Sequence, residues 1–108
     1  MSKIIIKATI KQNNQIQEQI ETKGILQDNE IKYINSKTIT ILDIKNEKLK
    51  RVSEDYNMII DFKNQLIKTE YLNIKIRIIN KQIEQNKIKI KYQIIETSDI
   101  FEYEIIWR

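Results

Sequence analysis

Cysteine, histidine and proline are absent from this chain, and glycine occurs once, as Gly24. Without cysteine there is no disulfide, no thiolate metal site and no thiol nucleophile. Without histidine, the commonest general base and the commonest ligand for zinc, copper or non-haem iron are missing. No spacing of Asp and Glu shows two carboxylates converging on a pocket, as a glycosidase-type hydrolase would require. The residue set therefore predicts no metal, no cofactor and no enzyme. Long apolar runs are also lacking. The N-terminal run Ile4 to Ile6 is followed by Lys7 and Lys11, too short for the core of a secretory signal and far short of the roughly 20 residues that span a bilayer. The expectation is a cytoplasmic protein with no membrane partner.

What is present is β-branched and alternating. At 108 residues, with 41% hydrophobic and 31% charged side chains, the chain holds material for one core and enough charge to stay dissolved, so a single domain over residues 1–108 is predicted. Isoleucine dominates the apolar set, and its stiffness at χ1 suits a pleated sheet better than a helix. In Ile4, Ile6, Ala8 and Ile10 the even positions are apolar while Lys7, Thr9 and Lys11 fall on the other face. A helical period would scatter this set around its axis. Asn13-Asn14 supplies a turn, and the next strand places Ile16, Glu18, Ile20 and Thr22 on one face. Gly24 marks a bulge or sharp bend, and Asp28-Asn29-Glu30 turns the chain into Ile31 to Asn35. Within Thr38 to Ile44 the apolar parity switches, which predicts a bulge near Ile41 and Leu42 or a strand covered on both sides. Further strands fall at Leu49 to Glu54, Met58 to Phe62, Leu66 to Leu72, Ile74 to Ile78, Ile88 to Ile94 and Ile100 to Trp107.

No connection is long enough for the crossover that parallel strands require, so sequence neighbours pair antiparallel. Such a meander has two open edges unless it closes. The fold class expected is therefore all-β: a single up-and-down antiparallel barrel of about eight to ten short strands, with Ile, Phe, Tyr and Trp inside and Lys, Glu, Gln and Asn outside.

The order of segments carries a resemblance over nearly the whole chain. The runs "IETKGILQDNEIKYIN", "TITILDI", "LKRVSEDYNMIIDF", "IKTEYL", "IKIRI" and "IKIKYQI" resemble the YwiB-like family of small bacterial proteins, a domain of unknown function. Its markers here are Gly24, Arg51 ahead of a strand ending in Phe62, Tyr71 in the following strand, and the hairpin arm ending in Tyr92. The resemblance implies a calycin-like (lipocalin-like) β-barrel and no reaction. The chain departs from the family pattern at Ser36-Lys37, where members carry a Gly-rich loop, and at Val52-Ser53, where members carry a glycine soon after the Arg. It is also trimmed in the turn between Tyr71 and Ile74.

Two groups of residues are candidates for function. The first is interior. Glu18 shares its parity with Ile16 and Ile20 and points into the barrel, where an unpaired charge is costly; Arg51 is the candidate partner. Such a pair either orients a small apolar ligand in a cavity also lined by Tyr71 and Tyr92, or serves as a structural ion pair. Tyr103 and Trp107 share the inward parity and either line that cavity or fill it. The second group is the stretch "NIKIRIINKQIEQNKIKIKYQII", where Lys75, Arg77, Lys87, Lys89 and Lys91 face outward on two paired strands. Their spacing of about 6.5 to 7 Å along each strand approaches that of successive phosphates, which makes nucleic acid or an acidic protein the alternative partner. Against it, the aromatic residues needed for base stacking fall on the core side, and lysines also serve to keep a sheet wall solvated. Asp99, Glu102 and Glu104 are expected to pair across strands with these lysines. The best reading is a non-enzymatic small-ligand-binding or interaction module, as monomer or homodimer.

Overall fold

A computed structural model describes all residues, 1–108, and turns the alternating pattern into ten strands: β1 (Ser2–Gln12), β2 (Gln15–Gln27), β3 (Glu30–Asn35), β4 (Thr38–Asp43), β5 (Lys48–Val52), β6 (Asn57–Asp61), β7 (Leu66–Thr69), β8 (Asn73–Glu84), β9 (Lys87–Ile94) and β10 (Ile100–Trp107). Each strand pairs antiparallel with the next, and β10 returns to β1, so the sheet closes and leaves no free end strand. No helix is long and apolar enough to cross a membrane.

Turn chemistry follows from strand twist. Asn13-Asn14 (φ 49° and 68°), Asp28-Asn29 (52° and 63°) and Ser36-Lys37 (49° and 68°) all carry positive φ at both central residues. Two-residue hairpins prefer this geometry because it matches the right-handed twist of the flanking strands. Asn and Asp tolerate it; Ser36 and Lys37 adopt it without that tolerance.

Two other turns are versions of one device. In Asp43-Ile44-Lys45-Asn46-Glu47 and Asp61-Phe62-Lys63-Asn64-Gln65, the carboxylate accepts from the backbone N–H of the Asn three residues on (3.0 Å in both) and from its side-chain amide (2.8 and 2.9 Å). Glu47 and Gln65 then take positive φ, 54° and 56°. The carbonyl of Glu47 accepts from Phe62 N–H at 3.0 Å, and that of Gln65 from Ile76 N–H at 3.1 Å, so successive turns stack at one end of the barrel.

Register divides the interior into layers. Through successive pairings Leu26, Ile31, Leu42, Leu49, Ile60, Ile67 and Ile74 form an aliphatic layer toward the stacked turns. Burying each such side chain contributes about 1.5–3 kcal/mol, so this layer is a main source of stability. Two residues away along the strands runs Gly24, Tyr33, Thr40, Arg51, Met58 and Thr69, a layer with polar groups at most positions. β9, β10 and β1 close the other side with Ile88, Ile90, Tyr92, Tyr103, Ile105, Trp107 and Ile6, all buried.

Several expectations from the sequence are corrected. Gly24 is neither bulged nor bent into positive φ; it lies mid-strand opposite Ile4 and Tyr33. A Cβ there would run into Ile6 Cδ1 and come within 2.9 Å of the Lys32 carbonyl oxygen, so close packing, not backbone freedom, excludes a side chain. β4 pairs through Ile41 and Leu42 without a shift, and its outward isoleucines lie half-buried on the outer wall. The irregularities fall elsewhere. In β1–β2, Ile10 faces Glu18 while Lys11 faces Ile16, so Gln17 is the extra residue. That shift takes Ile16 off the inner face and leaves it 56% exposed. A second shift lies between Ile78 and Asn80 of β8.

Candidate functional site

The barrel end away from the stacked turns holds the polar cluster. β5 alternates so that Leu49 and Arg51 point inward, and the Thr40–Arg51 pairing fixes Arg51 in the polar layer. β2 brings Glu18 inside because it keeps the inward parity of Ile20 in unbroken register with β1, opposite Ile10, and the Gln17 bulge comes only on its N-terminal side. Arg51 Nη2 donates to Glu18 Oε2 at 2.9 Å, and Asn35 Nδ2 donates to Glu18 Oε1 at 3.3 Å. The arginine is 8% exposed, and its Nε is buried with no hydrogen-bond partner.

Tyrosines surround the guanidinium. Tyr92 stacks between Phe101 (centroids 5.6 Å apart, planes at 20°) and Tyr103 (6.2 Å, 19°). Burial pushes the Tyr33 hydroxyl up to about 12, opposed by hydrogen bonding with Thr40 and by the charge of Arg51. Burial likewise raises Tyr92, with the neighbouring Tyr103 adding to the effect. It raises Tyr103 too, although Arg51 pulls the other way. For Arg51 itself burial opposes the charge, but Tyr103, the Glu18 carboxylate and Tyr56 outweigh it and hold the group above its ordinary value. The site is thus a cation with Nη2 on a carboxylate, a buried Nε without a partner, and the phenols of Tyr33, Tyr92 and Tyr103 near it.

The interior candidates separate. Glu18 and Tyr92 lie on the inner face as their parity predicts, and Arg51, the candidate partner, meets Glu18 there. Tyr71 does not: it sits in the β7–β8 turn, 90% exposed, because β7 ends at Thr69. There the Thr69 hydroxyl accepts from the Tyr71 and Leu72 N–H groups at 3.3 and 3.1 Å and turns the chain outward. Asn35 and Tyr33 complete the cluster and were not legible as site residues. Their only signal is the parity they share with Ile31 on β3.

The basic hairpin is also rearranged. Lys75 and Arg77 lie opposite Leu66 and Gln93, whereas Lys87, Lys89 and Lys91 lie opposite Glu84, Gln82 and Asn80. The two sets therefore do not form one double ladder. On its other side β9 meets the β10 carboxylates: Glu104 is 3.6 Å from Lys87 and 3.9 Å from Lys89, and Glu102 pairs with Lys91 in register while lying 3.9 Å from Lys11. Arg77 donates to Gln93 at 2.6 Å. Asp99 instead accepts from Asn13 at 3.0 Å, tying the β9–β10 turn to the β1–β2 turn.

Fold and site together define a closed ten-stranded antiparallel barrel with an arginine–carboxylate pair and an aromatic stack inside one end. No family model, curated protein or solved structure matches the chain.

Proposed function

We propose that this is a non-enzymatic binding module of the cytosol, with the calycin-like barrel of the YwiB-like family, that takes a small molecule at its polar end. The observation that carries the reading is the Arg51 Nε, a buried donor left without a partner beside the Arg51–Glu18 ion pair. Buried polar groups are paired in nearly all native structures, so an unpaired cationic donor is the natural contact for an acceptor on a ligand. The layer beneath is built of buried Ile and Leu side chains, which favours a compact ligand in the upper layer. An aromatic carboxylate fits best, its acid group on Arg51 and its ring against Tyr92 and Phe101.

Titration with benzoate and naphthoate, followed by amide NMR, tests this. Shifts should centre on Glu18, Asn35, Arg51 and Tyr92 and vanish in Arg51→Met. Binding that survives that substitution in a folded protein would defeat the proposal. The hairpin reading has less support, since Lys87, Lys89 and Lys91 face glutamates rather than open solvent alone.

A further inference from the structure

A second group of cations, mostly without carboxylate partners, lies on a different wall. On the outer face of β1, β2 and β3 the register aligns Lys3, Ile25 and Lys32 in one row across the strands. The adjacent row holds Lys23 opposite Ile5, and Ile5 pairs in turn with Arg108, exchanging backbone hydrogen bonds of 2.9 and 3.0 Å. Each isoleucine is therefore flanked by two cations. With strands about 4.8 Å apart, cations in a row stand about 10 Å from one another with an aliphatic floor between them. The first row continues round the barrel as Ile41, Lys50, Ile59 and Lys68.

This wall is concave where β2 and β3 part. Their pairing covers only Gly24–Gln27 against Glu30–Tyr33, and beyond it the strands separate. A groove of about 680 Å³ opens there, lined by Ile5, Ile25, Ile34, Lys3, Lys23, Lys32 and Arg108 from the outer face and by Ile4, Gly24 and the buried Tyr33 beneath them. Ile25 is 39% and Ile34 58% exposed, high for aliphatic side chains on a structured strand. Of the four cations only Arg108 has a carboxylate partner, Glu21 at 3.5 Å. Small-molecule sites commonly run from about 300 to 1,000 Å³, so the groove is large enough for a ligand.

We infer that this groove on the outer wall of β1–β3 binds a small amphiphilic anion, an aliphatic chain bearing a carboxylate or phosphate head, with the chain over Ile5, Ile25 and Ile34 and the head between Lys23 and Lys32. Charge complementarity selects an anion, because three of the four rim cations are uncompensated. The exposed isoleucines select an aliphatic tail. Single-stranded nucleic acid is the poorer fit, since no aromatic side chain on this face offers an exposed stacking platform. The groove borders the polar barrel end, since Tyr33 belongs to both, but its head-group residues Lys23 and Lys32 are not those that hold the Arg51 cluster, so substitutions at Lys23 and Lys32 test it apart from Arg51→Met.

The test is an amide NMR titration with decanoate below its critical micelle concentration, run beside decyltrimethylammonium, phosphatidylglycerol vesicles and a polyglutamate peptide. Decanoate should shift Ile5, Lys23, Ile25, Lys32 and Ile34, and the cationic analogue should leave them in place. The double substitution Lys23→Gln/Lys32→Gln, at two exposed positions without salt bridges, should leave the fold intact and weaken decanoate about tenfold. Undiminished binding in that variant, shifts confined to Glu18, Arg51 and Tyr92, or a response to vesicles or polyglutamate but none to decanoate would each overturn the inference.

Discussion

Arg51 on β5 and Glu18 on β2 meet inside the barrel at 2.9 Å, across strands that are not neighbours in the sheet. The contact spans the interior and ties the two walls on either side of the gap where β2 and β3 part. Its side chains are 10% and 23% exposed, so the pair is mostly but not wholly dry.

Breaking it from one side should cost more than removing it. Glu18→Leu leaves a buried guanidinium without its carboxylate and should destabilise by about 2–4 kcal/mol, somewhat below the range for a fully buried pair. The double variant Glu18→Leu/Arg51→Met removes both charges and should recover about half of that loss. Urea unfolding of the two singles and the double measures the coupling. A double variant as unstable as the sum of its singles would mean that the pair is not the relevant interaction.

Gly24→Ala introduces a Cβ against Ile6 Cδ1 and the Lys32 carbonyl. The side chain can give way, but the backbone oxygen cannot, and the expected cost is about 1–3 kcal/mol. Adding Ile6→Val removes the Cδ1 atom and should return part of that stability. Melting temperatures of the single and double variants decide it, since no rescue would place the whole penalty on the backbone contact.

Ser36 and Lys37 hold left-handed conformations at φ 49° and 68° with side chains unsuited to them. The double substitution Ser36→Asn/Lys37→Gly supplies the residue types this turn favours and should stabilise the barrel by about 1 kcal/mol through relief of that strain. Thermal unfolding should show an upward shift; a fall would mean that the turn has another geometry in solution.

Stability should fall at both ends of the pH scale for separate reasons. Burial raises Tyr33, Tyr92 and Tyr103 in the folded state, so their contribution is complete below the ordinary tyrosine value near about 10 and is lost as pH climbs through their folded values. Asp61 behaves oppositely. Burial alone would raise it, but hydrogen bonds from Asn64, with Lys48 and Lys68 nearby, hold it below the usual carboxylate range. Asn46 does the same for Asp43. These carboxylates stabilise above about pH 4 and lose their effect as pH falls through their depressed values. Denaturation followed against pH should show the alkaline limb steepened by tyrosinate absorbance appearing with unfolding, and an acid limb flattened in Asp61→Asn.

Tyr71 and Tyr92 give the sharpest contrast in side-chain truncation. Tyr92→Ala opens the stack against Phe101 and Tyr103 and should cost about 3–5 kcal/mol, whereas Tyr71→Ala, at 90% exposure, should stay within about 0.5 kcal/mol. Equal losses from the two would place Tyr71 inside after all.

Alternation within each strand was legible from the residues alone, because side chains two apart must share a face of a pleated strand whatever the strand pairs with. That is why the barrel, the inward Glu18, Arg51 and Tyr92, and the outward lysines of β9 could be read from composition and parity. The Asp-x-x-Asn spacing at Asp43 and Asp61 is a local pattern whose meaning the structure supplied, each carboxylate taking the side-chain amide of the Asn three residues on.

Tertiary structure decided what meets what. The Gln17 bulge turned Ile16 outward while leaving Glu18 inside, and the Thr69 turn carried Tyr71 into solvent. Pairing of β9 with β10 gave Lys87 and Lys89 a glutamate, while pairing of β1 with β2 and β3 left Lys3, Lys23 and Lys32 with isoleucines for neighbours. Cross-strand neighbours depend on register, and register is set by turns and bulges acting together over the closed sheet; a single strand's alternation holds no information about the residue placed beside it.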